Sequence, residues 1–194
     1  MAELLRTHPF EAWTATFERL PDTVGITVEP FVAMVDLRLG TVGPEARTRL
    51  GVDLPTIANT WLPADAGRAV WLGPDEWLLS STTETPEEFE ARVRAAVLPL
   101  GGSATDVSAQ RIGLRLTGAR VGDVLAKGCS IDLHPRVFGR GSSAQTMLGQ
   151  AGVVLLALSD AGDDYVVLVR SSFAGYLADW LLDAALEFST THDS

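Results

Sequence analysis

The chain has 194 residues, 46% of them hydrophobic and five of them Trp, which is enough to build a sizeable core and argues against disorder. Fifteen Lys and Arg against 25 Asp and Glu give a formal net charge of −10. No basic run offsets that field, so the composition argues against nucleic acid and anionic lipid as partners.

In chain order, the opening MAELLRTHPFEAW has no long apolar stretch of the kind a signal peptide carries. A first helix is expected after His8, with Pro9 in the first turn and Phe10, Trp13, Phe17 and Leu20 on one face. Pro21-Asp22 ends it. From 31 to 39, Phe31, Ala33, Val35, Leu37 and Leu39 share one face with Asp36 and Arg38 opposite, which predicts a half-buried strand. Residues 40–68, rich in turn markers, read as loop with one short helix at 44–50. Residues 69–81 are two apolar runs joined by Gly73-Pro74-Asp75-Glu76, which predicts a hairpin.

Thr85-Pro86-Glu87-Glu88 is the strongest helix start, combining a cap, a first-turn proline and a capping-box glutamate. Phe89, Val93, Ala96 and Val97 supply its buried stripe. Strands are expected near 103–108 and 112–117, then a short helix at 119–126, with Gly128 taking a left-handed turn at its end. Three further strands are predicted near 144–149, 152–158 and 164–169. A last helix starts after Ser171 or Ser172, and its apolar positions spread beyond one stripe. That spread suits a well-buried core helix or one partly covered by another chain. Hairpins mixed with helices that do not alternate strictly with strands predict an α+β fold with antiparallel or mixed sheets. No linker divides the chain, so one domain over 1–194 is expected, with two packed lobes at about 24–108 and 109–188.

Candidate chemistry is sparse. Cys129 is the single cysteine, so neither an intrachain disulfide nor a thiolate zinc cluster is available. Cys129, Asp132 and His134 form the densest group of potential ligands, yet their spacing fits no common zinc pattern. Ser130, Asp132 and His134 have the residue types of a hydrolytic triad but no nucleophile elbow. Gly118 to Gly122 follows a strand and opens a helix but lacks a phosphate-loop or dinucleotide signature. Asp75-Glu76 and the acidic start at 87–90 read as solvated surface, and His8 and His192 as surface residues near the ends. The longest apolar run, 153–158, falls well short of the roughly 20 residues a membrane helix needs. The expectation is a cytoplasmic protein with no membrane segment.

Five segments carry a resemblance: LGPDEWLL (72–79), DVSAQRIGLRLTG (106–118), VLAKGCSIDLHPRVF (124–138), QTMLGQAGVVL (145–155) and VLVRSSFAGYLADWLLDA (167–184). Together and in this order they resemble the gamma subunit of heterotetrameric sarcosine oxidase. That resemblance implies a fold like the folate-binding fold of aminomethyltransferase, with split β-α-β units and covering helices. It implies a role, without catalysis of its own, in oxidative demethylation of sarcosine to glycine alongside alpha, beta and delta subunits. It also implies that FAD, FMN, NAD, tetrahydrofolate and zinc belong to those partners and that this chain carries no cofactor. Lys127, Cys129, Asp132, His134, Arg170, Phe173, Tyr176 and Trp180, all within the quoted segments, are the candidates for subunit contact or for fixing the fold. The competing reading is a stand-alone folate-binding protein assisting one-carbon transfer, with Asp106, Asp132, Arg111 and Arg115 as the groups available for a folate.

Overall fold

The computed structural model describes residues 7–189, so His192 lies outside the described residues. Sheet I is made of β2 (Ala33–Arg38), β3 (Trp61–Ala64), β4 (Gly67–Gly73), β5 (Glu76–Ser81) and β6 (Ser103–Asp106), in the order β3-β4-β5-β2-β6. Sheet II is made of β1 (Gly25–Val28), β7 (Arg111–Thr117), β8 (Ser143–Leu148), β9 (Ala151–Ala157) and β10 (Asp164–Arg170), in the order β1-β7-β10-β9-β8. Every neighbouring pair is antiparallel. The α+β expectation is met, and both sheets are antiparallel rather than mixed.

Helices cover the outer face of each sheet. On sheet I, α2 (Pro44–Leu50) and α3 (Pro86–Val97) bury Ala46, Leu50, Phe89 and Val93 against Val35, Leu37, Trp77 and Leu79. On sheet II, α1 (Glu11–Phe17), α4 (Val121–Ala126) and α5 (Ala174–Ser189) bury Phe17, Val124, Leu177 and Leu181 against Leu114, Leu155, Tyr165 and Val167. The inner faces of the sheets meet in a third apolar layer, where Met34, Val70, Leu72 and Leu78 pack with Val154, Leu156, Val166 and Leu168. The layers therefore run helix, sheet, sheet, helix. Because β9 and β10 are covered on both faces, their sequences read as continuous apolar runs instead of alternating ones.

Local signals explain most elements. Thr85 Oγ1 accepts from Glu88 N at 3.3 Å, and Glu88 Oε2 accepts from Thr85 N at 3.1 Å, so the capping box at α3 forms in full. The β4–β5 hairpin turns at Pro74-Asp75 and sets Trp71 opposite Trp77. Trp77 is buried, with its indole N–H donating to the Pro55 carbonyl at 2.8 Å. Between β5 and β6, α3 crosses over so that β2 lies between them, forming a split β-α-β unit.

Some expectations shift. The first helix begins at Glu11 rather than at Pro9, because His8 Nδ1 accepts from Phe10 N and holds the entry turn. Strands β1 and β3 fall in segments without strand alternation. Both are four-residue edge strands, and β3 contains Pro63, a residue sheets tolerate at an edge. Gly128 is not in the left-handed region, since α4 ends at Lys127 with φ −65°.

His8 is half-buried instead of lying on the surface, its ring 4.7 Å from Phe31 and 5.9 Å from Phe10. Its Nε2 is buried without a hydrogen bond. Burial lowers its proton affinity below the usual imidazole value of 6.5, and the Glu11 carboxylate and Glu29 backbone offset this in part. Below pH 6.5 the unfolded chain therefore takes up a proton more readily than the folded one. The resulting stabilisation is complete above that pH and is lost as pH falls through the folded-state value. We predict that His8→Asn flattens the fall in melting temperature between about pH 7 and pH 5. Equal slopes for the two proteins in thermal denaturation would refute this.

Candidate functional site

The candidate residues lie where α4 runs into the connection to β8 and where β10 runs into α5. Lys127, at the end of α4, sends its ammonium to the Ala184 carbonyl of α5, to Glu187 at 2.8 Å and over the Phe188 ring at 4.9 Å. A cation so placed also favours the negative ends of both helices. Gly128 follows. A Cβ there would stand 2.4 Å from Trp180 Cζ2 and 2.8 Å from the Gly149 nitrogen. The glycine is required by close approach of an indole and a backbone, not by its φ. Gly149, with φ 58°, turns the β8–β9 hairpin beneath the Tyr176 hydroxyl, which accepts from Gln150 N at 2.8 Å. Gly149 N in turn donates to the Gly128 carbonyl at 3.0 Å.

Cys129 is half-buried, bridges to Leu148 in antiparallel fashion and has its sulfur 3.9 Å from Thr146 Oγ1. Asp132 and His134 work within their own turn. Asp132 Oδ1 accepts from His134 N at 2.8 Å, and His134 Nδ1 accepts from Arg136 N at 3.2 Å. Among the described residues no group of three or more His, Cys, Asp or Glu is placed to hold a metal ion. The fold thus brings Lys127, Cys129, Tyr176 and Trp180 into one joint between α4, α5 and the β8–β9 hairpin. Phe173 is 41% exposed and meets Tyr176 edge-on at 6.5 Å.

Arg170 ends β10 and pairs across the strands with Arg111 of β7. The two arginines line a cleft of about 560 Å³ with Ser130, Gln145, Thr146 and Met147. A second cavity of about 270 Å³ lies between sheet I and α3, beside the Arg92–Glu84 ion pair. The arginine pairing depends on strand register, and no spacing in the sequence announces it. Of the groups available to a folate, Arg115 is held by Asp164 at 2.8 and 3.0 Å and Asp106 by Ser108 at 2.6 Å. Arg111 sits apart from these, beside Arg170.

Residues 41–187 match the family described as Sarcosine oxidase, gamma subunit family. The sarcosine oxidase subunit gamma of Corynebacterium sp. (strain U-96) is 37% identical over 140 residues, covering 72% of this chain. The chain belongs to the sarcosine oxidase gamma subunit family. The matched part spans 66% of that relative's own length. A chain of the heterotetrameric sarcosine oxidase from Corynebacterium sp. U-96 superposes with a TM-score of 0.85 at 30% identity, covering 98% of this chain and 100% of that one. Aminomethyltransferase T of the glycine cleavage system from Bartonella henselae superposes at 0.59 and 14% identity, over 87% of this chain and 48% of that one, which shows a shared fold. Three of the five segments, 124–138, 145–155 and 167–184, meet at the joint between α4, α5 and the β8–β9 hairpin, whereas 72–79 forms the β4–β5 hairpin and 106–118 leads through β7.

Gly128→Ala tests that joint. We expect a loss of about 1–3 kcal/mol, the usual range for overpacking, because an indole and a backbone nitrogen both block the new methyl. An unchanged urea midpoint would show that α5 is free to shift.

Proposed function

We propose that this chain serves as the gamma subunit of a heterotetrameric sarcosine oxidase, supporting oxidative demethylation of sarcosine to glycine in the cytoplasm. The observation that carries this is the superposition on a chain of that oxidase over nearly the whole length of both. In this reading the alpha, beta and delta subunits hold FAD, FMN, NAD, tetrahydrofolate and zinc, and this chain contributes structure rather than catalysis. The side chains that looked most like chemistry support it. Cys129, Asp132 and His134 are engaged with their own turn or with β8.

Lys127, Cys129, Tyr176 and Trp180 act chiefly as fold determinants, and Asp132 and His134 shape the turn beside them. Phe173 and Arg170, at the exposed junction of β10 and α5, are the residues of this group best placed for subunit contact. Exposed aromatic and arginine side chains are the types that dominate protein interfaces. Both lobes act as one domain, sharing the apolar layer between the sheets.

Purification of the tagged chain from its own cells grown on sarcosine tests the assembly. We expect recovery with three other chains, flavin absorbance and sarcosine-dependent peroxide. Recovery of a bare monomer or homo-oligomer under the same conditions would sink the reading. If Phe173 lies at the interface, Phe173→Asp should lower partner recovery about tenfold or more, the effect of losing a buried aromatic anchor, while leaving the urea midpoint of the isolated chain unchanged. Full recovery would remove it from the interface.

A further inference from the structure

We propose that Arg111 and Arg170 form a carboxylate-binding site at the open end of the seam between the two sheets. In the antiparallel β7–β10 pair the two residues stand directly opposite one another. Like charges so placed repel, and a bound anion would offset that repulsion.

The chain does not supply that anion. Most described arginines are ion-paired, among them Arg68 with Glu29, Arg92 with Glu84 and Arg115 with Asp164. Among the described residues, neither Arg111 nor Arg170 has a carboxylate within ion-pair distance or a side-chain hydrogen bond. The nearest acids by electrostatic effect are Asp36 and Glu76, which attract Arg111 from sheet I but make their ion pairs with Arg38, at 3.7 and 2.9 Å. Arg111 is half-buried, and burial together with the Arg170 charge disfavours its cationic form, so a bound oxyanion would restore what both take away.

The surroundings suit an organic acid. The cleft of about 560 Å³ falls in the range that accepts small molecules. Ser130 and Thr146 bring hydroxyls. Gln145 donates its amide nitrogen to the Leu72 carbonyl at 2.8 Å, which fixes the side chain at the wall of the cleft. Met147 and Ile131 add apolar wall. Two adjacent guanidiniums favour a planar carboxylate, which each can engage through paired N–H donors. The carboxylate has two available sources, a free small acid or an acidic side chain of a neighbouring subunit. The site goes beyond the assembly reading, and only the choice of source rests on it.

Succinate is the probe. Titrated into the full chain at constant ionic strength made up with sodium chloride, it should raise the melting temperature saturably and give a calorimetric isotherm in the millimolar range. Arg170→Gln, at an exposed strand end, should weaken that binding at least tenfold with a urea midpoint no lower than the wild type's, since one of two repelling charges is gone, and Arg111→Gln should do the same. A shift no larger than that of chloride, or an equal shift in Arg170→Gln, would overturn the site. Repeating the titration on the co-purified complex separates the sources. Retained binding identifies a free acid as the occupant, whereas binding seen only in the isolated chain identifies a carboxylate of a neighbouring subunit. Failure of the chain to co-purify would refute the assembly reading without touching the titration of the isolated chain.

Discussion

The apolar seam between the two sheets is the constraint from which the rest of the architecture follows. Each sheet already buries one face under helices, so a second buried face forces the central strands to be apolar on both sides. Val154, Leu156, Val166 and Leu168 meet Met34, Val70, Leu72 and Leu78 there, and their neighbours Val153, Leu155, Tyr165 and Val167 point to the helical layer. At about 25 cal/mol per Å² of apolar surface removed from water, a layer of this kind outweighs any single polar contact in the chain. It also fixes register. A slip of one residue in β9 or β10 would exchange the two faces, placing the buried Tyr165 in the seam.

Polar contacts then set how the sheets end. At one margin Arg68 of β4 grips Glu29 with two hydrogen bonds of 2.8 and 3.1 Å, tying sheet I to the segment after β1. Gly113 makes room for it, since a Cβ there would stand 2.6 Å from Glu29 Oε2. At another, Arg38 is shared among Asp36, Asp75 and Glu76. Burial, followed by the Asp36 charge, raises the proton affinity of Glu76 above the ordinary carboxylate value. Asp36 and Glu76 act on Arg111 of sheet II by charge, but their ion pairs are with Arg38.

The joint around Gly128 holds the last helix through contacts over long separations. Trp180 lies against Gly128, Tyr176 receives the amide of Gln150, and Lys127 holds the end of α5. Trp13 adds a second tie, donating to Asp179 at 2.7 Å, so α1 and α4 both clamp α5 to sheet II. The residues the helix buries, Ala174, Leu177, Ala178, Leu181, Ala184 and Ala185, fall on one stripe, and Leu186 outside it is exposed. A surface held by a rigid helix presents its side chains without further loss of conformational freedom.

The sequence by itself determined the elements whose signals are local. The capping box at Thr85, the turn at Pro74-Asp75 and the period-two pattern of β2 depend on neighbours a few residues away, and each was readable. Family membership was readable too, because several segments in a fixed order carry it even where no single one does. The tertiary structure decided what depends on register and on close approach over long separations. Edge strands β1 and β3 have too few residues to show alternation and exist because a partner strand lies beside them. Gly128 is a glycine because of a tryptophan 52 positions later. Arg111 faces Arg170 because β7 and β10 pair in one register out of several. Local chemistry fixes an element, whereas such contacts belong to no segment and arise only when the layers close on one another.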